Sequence, residues 1–232
     1  MGSLQVWGVA LALVMAIVCS APGSLIGAQA GTGAIGGRVH VVSHPARRLA
    51  TAGAYPGRTI GIQVERDASE LENVIVFLNT PAGTDSPPTR VSIRQSGEEF
   101  IPHVVAVSVG STVDFPNDDL IFHNVFSLSR AGTFDLGRYP RGASRLRTFS
   151  RPGIVKVFCH FHAHMSAIVR VFPHPYFAIP DRDGRFRISD VPMGRYDVTA
   201  WHERAGDVTH TATIGDEEAA ELTFSLPLTD PE

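Results

Sequence analysis

Short stretches of alternating apolar and polar residues dominate the chain, and Gly, Pro, Asn and Asp separate them. No stretch keeps the 3.6-residue apolar period of an amphipathic helix. Alternation with a period of two is typical of β-strands, and the separating residues favour turns. The sequence therefore predicts an all-β protein of sandwich type, with no substantial helix. The predicted strands are 38–42, 73–78, 90–94, 104–109, 112–115, 145–149, 155–159, 166–172, 185–188, 196–202, 210–214 and 221–226.

The N-terminal thirty residues have the pattern of an export signal. Residues 6–18 are apolar, and small and turn-forming residues follow up to Ala28-Gln29-Ala30, an A-x-A-like cleavage site. An apolar stretch of this length is too short to span a bilayer as a helix. We therefore expect cleavage near Ala30, a mature chain with no integral membrane span, and a periplasmic or secreted location.

The net charge limits the partners that the chain is expected to bind, and the cysteine content limits the role of its thiols. The net charge is −3 and no run is rich in Lys or Arg, which argues against nucleic acid or an anionic membrane as a partner. Cleavage would remove Cys19 and leave Cys159 as the remaining thiol. In an oxidising compartment such a thiol has no internal disulfide partner, so it must be buried, ligated or reactive.

The segment Cys159-His160-Phe161-His162-Ala163-His164-Met165 gathers a thiol, three imidazoles and a thioether. It follows an alternating run whose phase puts Val157 and Cys159 on one face and Lys156 on the other. Because Lys156 belongs to the solvent side, Cys159 is predicted to face the core. Thiolate, imidazole and thioether groups suit copper, and two His with one Cys and a weak axial Met form an electron-carrying copper site.

A second His must come from elsewhere, and segment 115–126 offers His123 at the end of another predicted strand. At these residues the chain resembles the cupredoxins, the plastocyanin-like blue copper proteins. In that family a His-Asn-Val segment supplies the first His, and a Cys-x-x-His-x-x-Met loop supplies the other ligands. The matching segments are 100–102, 104–110, 113–117, 123–125, and 158–159 with His162 and Met165. The resemblance implies a Greek-key β-sandwich and one copper ion, cycling between Cu(I) and Cu(II), on His123, Cys159, His162 and Met165.

Other residues near these ligands have predicted supporting roles. Asn124 would orient the loop or donate a hydrogen bond near the thiolate. Ile101 and Pro102 resemble the apolar rim beside copper in plastocyanin-like folds, where a partner would dock. Three further imidazoles are candidates for extra metal binding or for pH-sensitive neighbours, with ordinary surface histidines as the alternative; they are His103, His160 and His164.

Copper enzymes of related fold need ligands that this chain lacks. Multicopper oxidases carry a His-Cys-His element, whereas Phe158 precedes Cys159 here, and the dinuclear site of terminal oxidases needs a second Cys. We therefore predict a one-electron carrier, not an enzyme, with redox proteins as donor and acceptor. The alternatives are a copper-binding or delivery protein, a structural interaction module without a redox role, and a zinc site.

Two turn-rich breaks, 80–88 and Pro173-His174-Pro175, divide the mature chain. The predicted parts are a signal peptide (1–30), an N-terminal β segment (31–88), a cupredoxin domain (89–173) and a C-terminal β module (174–232).

The C-terminal module resembles the small carboxypeptidase regulatory-like β-sandwich over 180–201. Segments 37–39 and 73–78 resemble the opening strands of that same module, so we hypothesise that the copper domain is inserted into it. Pairing of 73–78 with copper-domain strands alone would refute this, and a separate tail domain with an N-terminal extension is the alternative. Segments 134–140 and 194–203 also resemble a bacterial subgroup of exported cupredoxins labelled methylamine utilisation proteins.

Overall fold

The computed structural model describes residues 2, 31–43, 70–80, 86–215 and 219–229. The predicted signal peptide, apart from Gly2, and positions 81–85 of the first predicted break lie outside these residues. Within them no helix is long and apolar enough to cross a membrane.

The described residues fold into β-strands with a short 3-10 helix at Leu71–Asn73, so the all-β prediction is confirmed, and every predicted strand overlaps an observed one. The strands are β1 (Thr32–Ser43), β2 (Ile75–Leu78), β3 (Arg90–Ser92), β4 (Arg94–Gln95), β5 (Phe100–Ile101), β6 (Val104–Ser108), β7 (Thr112–Pro116), β8 (His123–Ser127), β9 (Phe134–Tyr139), β10 (Ser144–Thr148), β11 (Gly153–Phe158), β12 (Ser166–Phe172), β13 (Phe177–Ala178), β14 (Arg185–Pro192), β15 (Gly194–His202), β16 (Gly206–Ile214) and β17 (Ala220–Leu228).

Strands β3 to β12 form one sandwich, which we call the site sandwich. Its larger sheet has the order β6-β12-β11-β8-β9 and its smaller sheet the order β10-β7-β3. A short hairpin of β4 and β5 joins the end of β7 through a bridge between Gln95 and Asn117. Inward-facing residues of both sheets form one apolar core, which includes Val105, Phe115, Val125, Phe149, Val157 and Val169.

The other strands form a second sandwich, which we call the flanking sandwich. Its sheets have the orders β14-β1-β17 and β13-β2-β15-β16. Strand β1 runs parallel to β17, and the backbones of these two strands approach closely at Gly37. A Cβ at that position would lie 1.8 Å from the carbonyl oxygen of Leu222, and φ is +148°, so the strand needs a glycine there.

Both N-terminal strands pair with strands that follow the site sandwich in sequence. Strand β1 pairs with β14 and β17, and β2 pairs with β13 and β15. The chain leaves the flanking sandwich after Leu78 and returns at Tyr176, where the Leu78 N–H donates to the Tyr176 carbonyl over 3.1 Å. This pairing is what the insertion hypothesis requires, while the domain boundaries themselves stay a prediction.

The two sandwiches pack together through the outer faces of β6 and β12. A separate apolar cluster joins Val104, Ile168 and Phe172 of the site sandwich to flanking residues that include Phe77 and Trp201. The guanidinium of Arg170 lies in the same interface, 4.2 Å from the Phe77 ring centroid and 4.9 Å from that of Trp201. Because β12 is covered on both faces, its sequence SAIVRVF is nearly continuously apolar.

Candidate metal centre

Cys159 directly follows β11 and points into the core of the site sandwich. Val155, Val157 and Cys159 are buried, whereas Lys156 is exposed, so the predicted strand phase is confirmed. Strand β11 contacts β8 through the antiparallel pair Phe158 and Phe126. This pairing sets the thiol beside the strand that carries His123.

His123 begins β8, whereas the sequence prediction put it at the end of a strand. Residues 120–122, which precede it, form an exposed loop. The His123 side chain is fully buried.

Three candidate ligand atoms form a small triangle. The Cys159 Sγ lies 3.8 Å from the His123 Nδ1 and 3.7 Å from the His162 Nδ1, and the two ring nitrogens are 3.1 Å apart. A point equidistant from atoms at these separations lies about 2.1 Å from each, which matches metal–imidazole bonds of about 2.0 Å and metal–thiolate bonds of about 2.3 Å. The described residues thus contain a His-Cys-His group that can hold one metal ion.

Met165 ends the loop that carries two of these residues. Its backbone N–H donates to the His162 carbonyl over 2.9 Å, closing a turn, and its side chain is buried in the same core as Cys159. The thioether therefore belongs to the apolar surroundings of the triangle. Whether it binds the metal stays a prediction.

Asp119 holds the far side of His123. Its Oδ2 lies 2.8 Å from the His123 Nε2, which leaves Nδ1 directed at the triangle. A carboxylate that accepts the second ring N–H fixes both the tautomer and the orientation of a metal-binding histidine.

The Asp119 carboxylate is itself fixed by hydrogen bonds from two backbone N–H groups. Gly97 donates to Oδ1 over 2.6 Å, and Glu98 donates to Oδ2 over 3.0 Å. Burial alone disfavours the charged carboxylate, but these bonds and the His123 ring outweigh it and hold the pKa of Asp119 below its usual value. Asp119 is therefore an ionised anchor for His123.

His162 is the ligand candidate that reaches solvent. Its side chain is 21% exposed, compared with 0% for His123. The Glu98 Oε2 lies 3.9 Å from the His162 Nε2 and 3.7 Å from the Nε2 of His164, whose side chain is mostly exposed. One edge of the site thus consists of two imidazoles and a carboxylate.

The structure places the other predicted histidines away from the triangle. The His160 ring is exposed and lies against Phe126, with 3.8 Å between ring centroids. His103 lies between the two sandwiches, with Nδ1 2.9 Å from the Ser166 carbonyl and Nε2 2.8 Å from the Glu203 Oε1. His103 therefore contacts the flanking sandwich instead of the metal site.

Asn124 is buried beside His123, and its amide nitrogen donates to the Asp135 Oδ1 over 2.6 Å. Its Oδ1 has no hydrogen-bond partner among the described residues. The amide thus ties β8 to β9, and its predicted role toward the thiolate or the ligand loop stays a prediction.

Exposed apolar side chains lie on the loop before His123 and on the loop that carries His162. Leu120 is 84% exposed, and Phe122 and Phe161 are also exposed. The Arg138 guanidinium lies 4.3 Å from the Phe122 ring centroid and 5.6 Å from that of Phe161, so it links the loop before His123 to the ligand loop. The predicted rim residues, Ile101 and Pro102, are exposed as well, on the hairpin whose tip carries Glu98.

Sequence reasoning missed Asp119, Glu98 and Arg138. The spacing of Asp119, four residues before a candidate ligand His, was the available signal for a carboxylate that supports it. Glu98 and Arg138 carried no local signal, because each reaches the site from a strand or turn distant in sequence.

No family model and no curated protein matches this chain. Similar solved structures include a purple cupredoxin from Nitrosopumilus maritimus, with 24% identity over 35% of this chain and 99% of that chain and a TM-score of 0.32. An amicyanin from Paracoccus versutus shows 20% identity over 42% of this chain and 97% of that chain, with a TM-score of 0.34. A copper-containing nitrite reductase from Thermus scotoductus SA-01 shows 23% identity over 57% of this chain, a TM-score of 0.34, and only 28% of that chain is covered.

Proposed function

We propose that this chain is a type 1 copper protein of the cupredoxin class that transfers single electrons. The observation that supports this most is the triangle of Cys159 Sγ, His123 Nδ1 and His162 Nδ1, with sides of 3.1 to 3.8 Å. A buried thiolate with two imidazoles and a nearby thioether, Met165, is the donor set that suits copper. Zinc would gain little from the thioether.

Copper, when bound, would supply one-electron exchange between Cu(I) and Cu(II). The protein's part is to keep the donor atoms in place in both oxidation states. Strand β11 holds Cys159, and the contact with Asp119 holds His123. The backbone hydrogen bond from the Met165 N–H to the His162 carbonyl closes the ligand loop. Little rearrangement is then needed when the charge changes, which favours electron transfer.

The exposed edge of His162 would be the route for the electron. Exposed apolar side chains on the two loops that carry His123 and His162, Leu120, Phe122 and Phe161, would give a partner a surface that excludes water. The partners we propose are a redox protein that donates electrons and one that accepts them. The export signal predicted at 1–30 would place this exchange in the periplasm or outside the cell.

Visible absorption and electron paramagnetic resonance spectra of the copper-loaded protein test the proposal. We expect an intense thiolate-to-copper band in the wild type and its loss in Cys159→Ser. Copper retained by Cys159→Ser with an unchanged spectrum would favour the delivery role, with exposed residues such as His160 and His164 as ligands. No copper at stoichiometric amount after anaerobic loading would favour a structural interaction module.

A further inference from the structure

The tip of the β4–β5 hairpin has an unusual residue for its backbone conformation. Ser96 and Glu99 exchange backbone hydrogen bonds of 3.0 and 3.3 Å, and the two residues between them have φ values of +67° for Gly97 and +59° for Glu98. Such two-residue turns favour Asn or Gly at both positions, because a larger side chain is disfavoured at positive φ. Glu98 thus occupies a strained position.

The backbone of the turn does not explain why this residue is a glutamate. Its two N–H groups donate to Asp119, but any residue other than proline provides an N–H. An asparagine or glycine would make the same bond with less strain. The reason for a glutamate must therefore lie in its side chain.

The Glu98 carboxylate faces the solvent side of the candidate metal centre. It lies 3.9 Å from the Nε2 of His162, whose Nδ1 is directed at the Cys159 thiol. The second imidazole of the pair, His164, is 3.7 Å away on the outer side. The same turn thus contacts both histidines of the triangle, His123 through Asp119 and His162 through the Glu98 side chain.

We propose that Glu98 is a positioning residue that places a negative charge at the exposed edge of His162 and shifts the redox equilibrium of the centre toward its oxidised form. The inference rests on the proposed function, because it assumes a copper ion on the triangle. A negative charge stabilises Cu(II) more than Cu(I), since the oxidised ion carries more positive charge. Water screens the half-exposed carboxylate, so the expected effect is a change of about three- to tenfold in the redox equilibrium constant.

The test compares the midpoint potential of the copper-loaded wild type with that of Glu98→Gln, which keeps the shape and removes the charge. Glu99→Gln is the matched control, because Glu99 is the adjacent exposed glutamate and forms no ion pair among the described residues. We expect the potential to rise in Glu98→Gln and to rise clearly less in Glu99→Gln. The difference should shrink when ionic strength increases from about 0.01 M to 1 M, as expected for an exposed charge.

Two further variants separate the charge from the fold of the turn. Glu98→Asn and Glu98→Gly relieve the positive-φ strain, so their melting temperatures should equal or exceed that of the wild type while their potentials rise. A wild-type potential in Glu98→Gln, or equal shifts in Glu98→Gln and Glu99→Gln, would overturn the assignment of Glu98. Absence of the thiolate-to-copper band in the wild type would overturn the proposed function itself, and this inference with it.

Discussion

The Nε2 of His103 lies 2.8 Å from the Oε1 of Glu203 and joins the site sandwich to the turn that follows β15 in the flanking sandwich. The other ring nitrogen of His103 lies 2.9 Å from the carbonyl oxygen of Ser166, the residue after Met165. That carbonyl only accepts, so Nδ1 carries a proton, and Nε2 needs a second proton to donate to the carboxylate. The contact therefore favours the imidazolium form of His103.

We expect this bridge to make stability depend on pH. The hydrogen bond to Glu203 is the largest effect on His103 and raises its pKa above 6.5, and the same bond lowers the pKa of Glu203 below 4.5. The His103 contribution is fully present below its unfolded pKa and is lost as pH rises through the raised folded value. The Glu203 contribution is present above its unfolded pKa and is lost as pH falls through the lowered folded value. The bridge thus contributes most between pH 4.5 and 6.5.

Glu203→Gln isolates the bridge from the other groups that titrate nearby, namely Glu70, Lys156 and His202. The free energy of unfolding should differ more between wild type and variant at about pH 5.5 than at about pH 8.5. Proton NMR should show a His103 pKa above 6.5 in the wild type and a lower one in the variant. An equal His103 pKa in both proteins would contradict the bridge.

Replacement of Asp119 by asparagine should weaken metal binding about 10- to 100-fold. Asp119 faces three N–H donors, those of Gly97, Glu98 and His123, and both of its oxygens accept from them. An asparagine has a single acceptor oxygen, so its own amide N–H₂ would face one of these donors. Either the Gly97 N–H would lose its acceptor, or Glu98 and His123 would lose theirs, and in both cases the hydrogen bond that orients His123 would lose its charged acceptor.

Copper affinity measured by competition with a chelator checks the Asp119→Asn prediction. Asp118→Asn is the matched control, because it removes the same charge one position earlier in the chain. Asp118 is an exposed carboxylate whose Oδ2 lies 3.6 Å from Arg94. Equal affinities of the two variants would mean that charge alone matters and that the contact with His123 does not.

The local parts of the fold and site could be read from the sequence, because strand phase depends only on neighbouring residues. The alternation through Val157 and Cys159 predicted the inward thiol, and the distribution of turn residues predicted most strands, but not β5, β9 or β13, and β8 only as a strand expected to end at His123. The division of roles among the histidines was harder to predict. The distances of 3.8 and 3.7 Å from the Cys159 Sγ show that His123 and His162 direct their Nδ1 atoms at the thiol, and for His123 this depends on the pairing of β11 with β8.

The parts that sequence could not predict all depend on contacts between distant segments. His103 was a candidate for extra metal binding, a pH-sensitive neighbour or a surface histidine, but its partner Glu203 is one hundred positions away and belongs to the other sandwich. Nothing in the local sequence of Glu98 shows that its turn faces His162. His123 was expected to end a strand, yet residues 120–122 before it form an exposed loop and His123 begins β8.

Truncation of Phe77 should destabilise the protein without changing the metal centre. Phe77 belongs to β2, and its ring lies 5.1 Å from that of Phe172 on the outer face of the site sandwich. Phe77→Ala would leave a cavity between the sandwiches, at a cost of about 3–5 kcal/mol in unfolding free energy. The visible spectrum should stay that of the wild type, because the cluster is separate from the core around Cys159.

Denaturant unfolding gives the size of the Phe77→Ala effect. Leu128→Ala serves as control, since Leu128 is 78% exposed and its truncation should change stability by no more than about 0.5 kcal/mol. A loss for Phe77→Ala as small as that of the control would show that the sandwiches contribute little to each other's stability.

A charge placed in the apolar surface beside His162 should slow electron exchange between copies of the protein. Under the proposed function, electron self-exchange would bring the exposed His162 edges of two molecules together, so Leu120→Lys would put like charges on both sides of the contact. Leu128→Lys is the matched control, because Leu128 is similarly exposed but follows the end of β8 opposite to His123. Both variants change the net charge equally.

NMR line broadening in mixtures of oxidised and reduced protein should show a self-exchange rate at least about threefold lower for Leu120→Lys than for Leu128→Lys. Equal rates would mean that electrons leave the site through another face.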